Sequence, residues 1–169
     1  MGSRPRQGLA PSDCFLDIAC GSPRGGVHFI NYLDPGNYLG IEKQRRLVEL
    51  GIEKELGRAA FLKQKPEFII SGDFEFHRFS KIPSYSIAQS LLTHLVPSGI
   101  HTCLRNLRAF VKDGHVAFAT FFEGILHATA RSPILTFASI TPWRKWTPSA
   151  GAWAGSRLTS VIGTIPGTR

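Results

Sequence analysis

The sequence predicts an α/β domain, a doubly wound and mostly parallel sheet with helices on both faces. Three observations predict it. Short apolar runs alternate along the chain with segments of helical spacing. A glycine-rich turn follows the first apolar run and opens a helix. An acidic residue closes the second run. Strands that alternate with helices pair in parallel, because each crossover helix covers a sheet face. Such crossovers are right-handed.

Each element has a local reason. Cys14-Phe15-Leu16-Asp17-Ile18-Ala19 reads as a short buried strand ending in a turn. Arg24 to Leu33 reads as a helix, and Asp34-Pro35-Gly36-Asn37 ends it. Tyr38-Leu39-Gly40-Ile41-Glu42 is a second strand. Lys43 to Gly57 is a helix, with Val48, Ile52 and Leu56 recurring on one face and Gly57 suited to its C-terminal cap. Glu67 to Ser71 is a third strand and Tyr85 to Ser90 a fourth. Ile100 to Lys112 is the clearest helix, its stripe formed by Ile100, Cys103, Leu104, Leu107 and Val111. Asp113-Gly114 closes it, and His115 to Phe122 is a fifth strand.

Composition narrows the class. A chain of 169 residues with 43% hydrophobic and 19% charged residues is globular and long enough for a buried core. No apolar run reaches membrane-spanning length, and no signal-peptide pattern follows Met1-Gly2-Ser3-Arg4-Pro5-Arg6. Cys14, Cys20 and Cys103 form no metal-type pair, so reduced thiols in a cytoplasmic protein are expected and no metal site is. The formal charge of +8 invites a nucleic-acid partner. All 12 acidic residues lie at or before Glu123, however, and Arg131, Arg144, Lys145, Arg157 and Arg169 follow it unaccompanied. Nucleic acid is therefore the lesser expectation, and Arg45-Arg46 reads as a solvated helix face.

In an open sheet of this kind ligands bind beyond the strand C-termini, where the strand order reverses. Four places qualify. Asp17-Ile18-Ala19-Cys20-Gly21-Ser22-Pro23-Arg24-Gly25-Gly26 lets backbone approach a ligand closely. The G-x-G-x-x-G spacing is absent, and Asp17 puts a carboxylate where a pyrophosphate would be repelled. A ligand carrying an ammonium and a sulfonium is the better match, the plain alternative being a packing glycine with Asp17 as a helix N-terminal charge. Glu42 can accept from both hydroxyls of a ribose, or serve only as a favourable charge at the start of the following helix. Asp73 can accept from an exocyclic amine and Phe74 can pack on a ring, although most of Phe74, Phe76 and Phe79 should be core. Ile87-Ala88-Gln89-Ser90 leads to Thr93-His94-Leu95, where His94 is either an acceptor-side group or a hydrogen-bonded structural residue.

These residues resemble a known family. Asp17 to Gly21, Glu42 after Tyr38-Leu39-Gly40-Ile41, Gly72-Asp73-Phe74, Ala88-Gln89-Ser90 with Thr93-His94-Leu95, and Phe118 to Phe122 look like motifs of class I S-adenosylmethionine-dependent methyltransferases. The nearest likeness is to bacterial proteins of the methyltransferase type 11, 12 and 25 group, over residues 13–123. The resemblance implies a Rossmann-like sheet of order 3-2-1-4-5 and the cofactor S-adenosyl-L-methionine. It implies that Asp17, Ala19, Cys20 and Gly21 line the methionine end. Glu42 would hold the ribose, Asp73 and Phe74 flank adenine, and Ala88 and Gln89 close the pocket. The acceptor is unspecified, with a small molecule favoured. Methyl transfer needs orientation more than acid or base, so no catalytic dyad is required. The chain departs from the family in three ways. Ala19 stands where glycine is usual, which a negative φ would allow. The segment before the first strand is a short extension, residues 1–12. The final two strands of the usual seven have no recognisable counterpart.

After Glu123 the composition breaks. Trp143, Trp146 and Trp153 all lie there, with no acid. Residues 124–169 read as a disordered basic tail or as out-of-frame translation of a GC-rich gene. Two competing functions remain open at this point: a nicotinamide-dependent oxidoreductase on a similar sheet, and a non-catalytic methyltransferase remnant.

Overall fold

The computed structural model describes residues 8–120. Phe121-Phe122 of the expected fifth strand, and the tail at 124–169 where the family's final two strands would fall, lie outside the described residues. Within them the chain runs β1 (Phe15–Ile18), α1 (Gly26–Tyr32), β2 (Tyr38–Glu42), α2 (Arg45–Gly51), α3 (Arg58–Gln64), β3 (Glu67–Ile70), β4 (Tyr85–Ala88), α4 (Pro97–Phe110) and β5 (Val116–Ala119). The strands form one sheet of order β3-β2-β1-β4-β5, and every neighbouring pair is parallel.

Alternation along the strands divides the core in two. Leu16, Ile18, Leu39, Ile41 and Ile69 face Cys103 and Leu107 of α4, joined by Phe76 and Phe79. Phe15 and Tyr38 face Ile30 and Leu33 of the α1 segment and Leu56. Asp17 follows Phe15 by two residues, so period-2 alternation puts it on the α1 side, at the strand's C-terminal end.

The sheet matches the expected one, and the helices differ in detail. The segment expected as a helix over 43–57 is helical from Arg45 to Leu56 but not α-helical throughout. α2 stops at Gly51 and a single π-helical turn, Ile52–Leu56, follows, with the Gly57 N–H reaching back to the Ile52 carbonyl at 2.8 Å. Gly57, at φ +81°, ends the turn and starts α3, a seven-residue helix with too little periodicity to be legible. α1 begins two residues later than expected because Pro23 and the 22–24 turn precede it. α4 begins at Pro97 rather than Ile100, where proline's fixed φ suits the first helical turn. β1 and β4 end early, because Ala19 and Ser90 turn to positive φ.

At the opposite end of the sheet from these turns, His115 ties β5 to β4. Its Nδ1 lies 2.9 Å from the Pro83 carbonyl and its Nε2 2.9 Å from Ser86 Oγ. A carbonyl only accepts, so Nδ1 carries the proton and Ser86 donates to Nε2. Burial holds the imidazole below its usual pKa, with the Pro83 bond opposing. The folded state therefore favours the neutral ring, while the unfolded chain takes up a proton. Stability from this group is present above about pH 6.5 and is lost as pH falls further. Urea midpoints between pH 7.5 and 5 are expected to fall less in His115→Asn than in the parent. An equal fall in both would show that His115 does not carry the slope.

Candidate functional site

The β1–α1 loop is built around three small residues and one proline. Ala19 has φ +60° and Gly21 φ +59°. The Cys20 N–H stays on the sheet, donating to the Ile41 carbonyl at 3.1 Å. Pro23 is buried between two helices. A Cβ on Gly26 would meet Pro23 Cβ at 2.8 Å and collide with the Tyr38 hydroxyl; one on Gly51 would meet Pro23 N at 2.9 Å and collide with its ring. These glycines are needed for close approach, since both lie at ordinary helical φ.

Ala19 does not meet the condition that would make an alanine here free of strain, since its φ is positive. A left-handed conformation costs a residue bearing a Cβ about 1–2 kcal/mol. Ala19→Gly removes that strain and adds some unfolded-state entropy, so a net gain of about 0.5–1 kcal/mol is expected in chemical denaturation. A loss of stability would mean the loop relaxes Ala19 in another way. The described residues hold four non-glycine positions at positive φ, and Ala19, Phe74 and Ser90 all follow strand C-termini. Strain of this kind gathers at ligand sites.

Glu42 brackets the loop. The residue is 6% exposed. Oε2 accepts from the Gly21 N–H and Oε1 from the Gln44 N–H, both at 3.0 Å. Each oxygen keeps a lone pair for a further donor. The helix-start role and the ligand role considered for Glu42 are therefore compatible in one geometry.

Asp17 is 8% exposed and accepts from the Tyr38 hydroxyl at 2.7 Å. Burial pushes its carboxyl up to about 6; the Tyr38 bond opposes this and the charge of Glu42 adds to it. Burial, with Asp17 and Glu42, also holds the Cys20 thiol well above its usual range. No lysine or arginine among the described residues pairs with either acid. The strand ends thus offer two buried carboxylates that no described lysine or arginine pairs with, which favours a cationic ligand with hydroxyls and disfavours an anionic one.

The other expected residues surround this pair more loosely. Asp73 is exposed, and its N–H bonds Ser71 Oγ at 3.1 Å. Phe74 is partly buried against the core, its ring 6.1 Å from Phe76. Asn106 of α4 holds this loop, donating to the Asp73 and Phe74 carbonyls at 3.2 and 3.3 Å. Ala88 is buried at the end of β4. The Gln89 Oε1 comes within 3.9 Å of the Cβ position of Gly25, across the gap between β4 and the β1 loop. His94 is exposed on the turn after β4, its N–H bonded to the Leu91 carbonyl, and no contact brings it to the acids. Tyr38, Pro23, Gly51 and Asn106 were not singled out by sequence reasoning. Only Tyr38 carried a signal, an aromatic hydroxyl on the strand beside Asp17 that needs a buried partner.

Scanned against protein-family models and curated protein sequences, the chain matches none. Among solved structures it is similar to magnesium protoporphyrin IX methyltransferase from Synechocystis PCC 6803 with bound SAM, at 14% identity and TM-score 0.53, covering 66% of this chain and 50% of that one. It is similar to the glycopeptide N-methyltransferase MtfA complexed with S-adenosyl-L-methionine, at 13% identity and TM-score 0.53, covering 64% and 46%. It is also similar to the PH0226 protein from Pyrococcus horikoshii OT3, at 20% identity and TM-score 0.51, covering 66% and 47%. The chain spans about half the length of these structures. The likeness is one of fold, a class I S-adenosylmethionine-dependent methyltransferase-like sheet.

Proposed function

We propose that the crevice binds S-adenosyl-L-methionine and that the chain is the cofactor-binding core of a methyltransferase. One observation carries the reading: two buried carboxylates, Asp17 and Glu42, flank a glycine-rich turn, and no lysine or arginine among the described residues forms an ion pair with either. Asp17 binds the ammonium. Glu42 accepts from the ribose hydroxyls through the lone pairs left by Gly21 and Gln44. The backbone of Ala19, Cys20 and Gly21 carries the methionine end. Asp73 and Phe74 flank adenine, and Ala88 and Gln89 close the side toward β4. When bound, the cofactor supplies an electrophilic methyl on a positive sulfur. The protein's part is to orient it and to exclude water, and His94 is at most an acceptor-side contact. The acceptor is favoured to be a small molecule, and the three free cysteines support a reducing, cytoplasmic setting.

The nicotinamide alternative places a pyrophosphate against Asp17, which disfavours it on charge. Titration calorimetry of the full chain with S-adenosylhomocysteine and with NAD separates the readings. Binding of the first and not the second is expected. Binding of NAD alone would support the oxidoreductase, and binding of neither the non-catalytic remnant.

A further inference from the structure

We infer that Tyr38 is a positioning residue for the ligand-binding carboxylate: by donating its hydroxyl to one oxygen of Asp17, it fixes the rotamer of that acid and leaves the other oxygen for the ligand's ammonium. This rests on the reading above and goes beyond it, because Tyr38 touches no proposed ligand atom.

The geometry is specific. The phenol oxygen lies 2.7 Å from Asp17 Oδ2, and Tyr38 is 2% exposed. Its ring is held from both sides, 6.4 Å from Phe15 and 5.9 Å from Phe68. Gly40, not Tyr38, stands directly opposite Asp17 in the strand register. A Cβ there would meet the Phe68 ring at 2.7 Å. Phe68 can therefore lie across β2, and Tyr38 reaches up the strand to Asp17. At the other end of the bond, the hydroxyl occupies the space a Cβ on Gly26 would take. Two glycines on two elements thus leave room for one hydroxyl and the aromatic ring that steadies it.

A merely structural hydroxyl would be equally satisfied by a backbone carbonyl. Its actual acceptor is an acid whose charge is opposed by burial and by Glu42. The bond favours the ionised form of Asp17, the form an ammonium needs. The titratable groups facing Asp17 are Tyr38 and Glu42 from β2 and Cys20 from its own loop. Ile87 of β4, its neighbour on the other side, is uncharged, as is Gly26 of α1.

The test compares the parent chain with Tyr38→Phe, which keeps the ring packing. S-adenosylhomocysteine affinity is measured by calorimetry from pH 5 to 8.5. Affinity of the parent should rise with the ionisation of Asp17 and level off near pH 7. In Tyr38→Phe the midpoint should move up by about one pH unit, with a loss of roughly tenfold near pH 6 that shrinks to less than threefold at pH 8.5. A loss that is the same at every pH, or an unmoved midpoint, would overturn the proposal. If the parent binds no S-adenosylhomocysteine, the functional reading has failed. The carboxyl carbon resonance of Asp17, titrated without ligand, then decides the positioning role separately. A higher midpoint in Tyr38→Phe upholds it, and equal midpoints refute it.

Discussion

Asp17→Asn is expected to make the free protein more stable and to destroy its ligand affinity. The asparagine keeps an oxygen to accept from Tyr38 and removes the buried charge. Asp17 titrates at about 6 in the folded chain against an ordinary 3.8. The folded state thus holds the proton more tightly than the unfolded one. Its stabilising contribution is complete below about pH 3.8 and is lost as pH rises through about 6. Above that, the ionised acid costs the fold about 3 kcal/mol, at about 1.4 kcal/mol per pH unit. Denaturant unfolding at pH 8 should show Asp17→Asn more stable by about 2–3 kcal/mol, with the difference shrinking toward zero at pH 4. Calorimetry with S-adenosylhomocysteine should show a loss of roughly a hundredfold or more, since a charge-assisted contact to the ammonium is gone. A variant less stable at pH 8, or one that still binds, would refute the role given to Asp17. Active-site charge maintained against stability is a recurrent trade-off.

Gly51→Ala should be the most damaging small substitution away from the crevice. Alanine is the better helix former by about 1 kcal/mol, so propensity alone predicts a gain. Sterics decide otherwise. The new methyl would overlap the Pro23 ring and come within 2.9 Å of its backbone nitrogen. Pro23 is also packed closely against Gly26, where an added Cβ would meet its own Cβ at 2.8 Å. The loop is further pinned by the Gly21–Glu42 bond. Overpacking of this kind costs about 1–3 kcal/mol, and the rigid neighbours put the expectation near about 3 kcal/mol. Thermal unfolding reads the stability, and S-adenosylhomocysteine affinity should fall about tenfold as Gly21 shifts from Glu42. Gly57→Ala is the control: φ is +81° but no atom stands in the way. With ψ at 146° the backbone is in a region that is essentially glycine-only, so the variant should cost about 1–3 kcal/mol in stability and leave affinity unchanged. Equal effects of both variants on affinity would show that Pro23 does not transmit the strain.

What the sequence made legible was what depends on near neighbours in the chain. Tyr38–Glu42 is a strand over its predicted span, because five consecutive residues are buried there. The stripe from Cys103 to Leu107 marked α4, although its first turn lay hidden behind Pro97. Gly57 was legible as a helix end. The close approach of Pro23 to Gly51 was not, because the two residues belong to different parts of the chain. The positive φ at Ala19 was not legible for a similar reason: a Cβ prefers negative φ, and the residues that follow, Cys20 and Gly21, are bonded to Ile41 and Glu42 of another strand. Of the candidate site residues legible in the sequence, the fold brings Asp17, Gly21 and Glu42 close together. The hydroxyl that completes Asp17 was overlooked because Tyr38 already had a sufficient explanation as a strand aromatic.

The bond from Gly21 to Glu42 also bears on kinetics. It is present in the free fold, so the turn and the acid are already in register before a ligand arrives. On the proposed reading, arriving hydroxyls would find fixed acceptors, with little ordering left to do at the moment of encounter. Association should then vary little among related ligands, with discrimination expressed in how long each one stays.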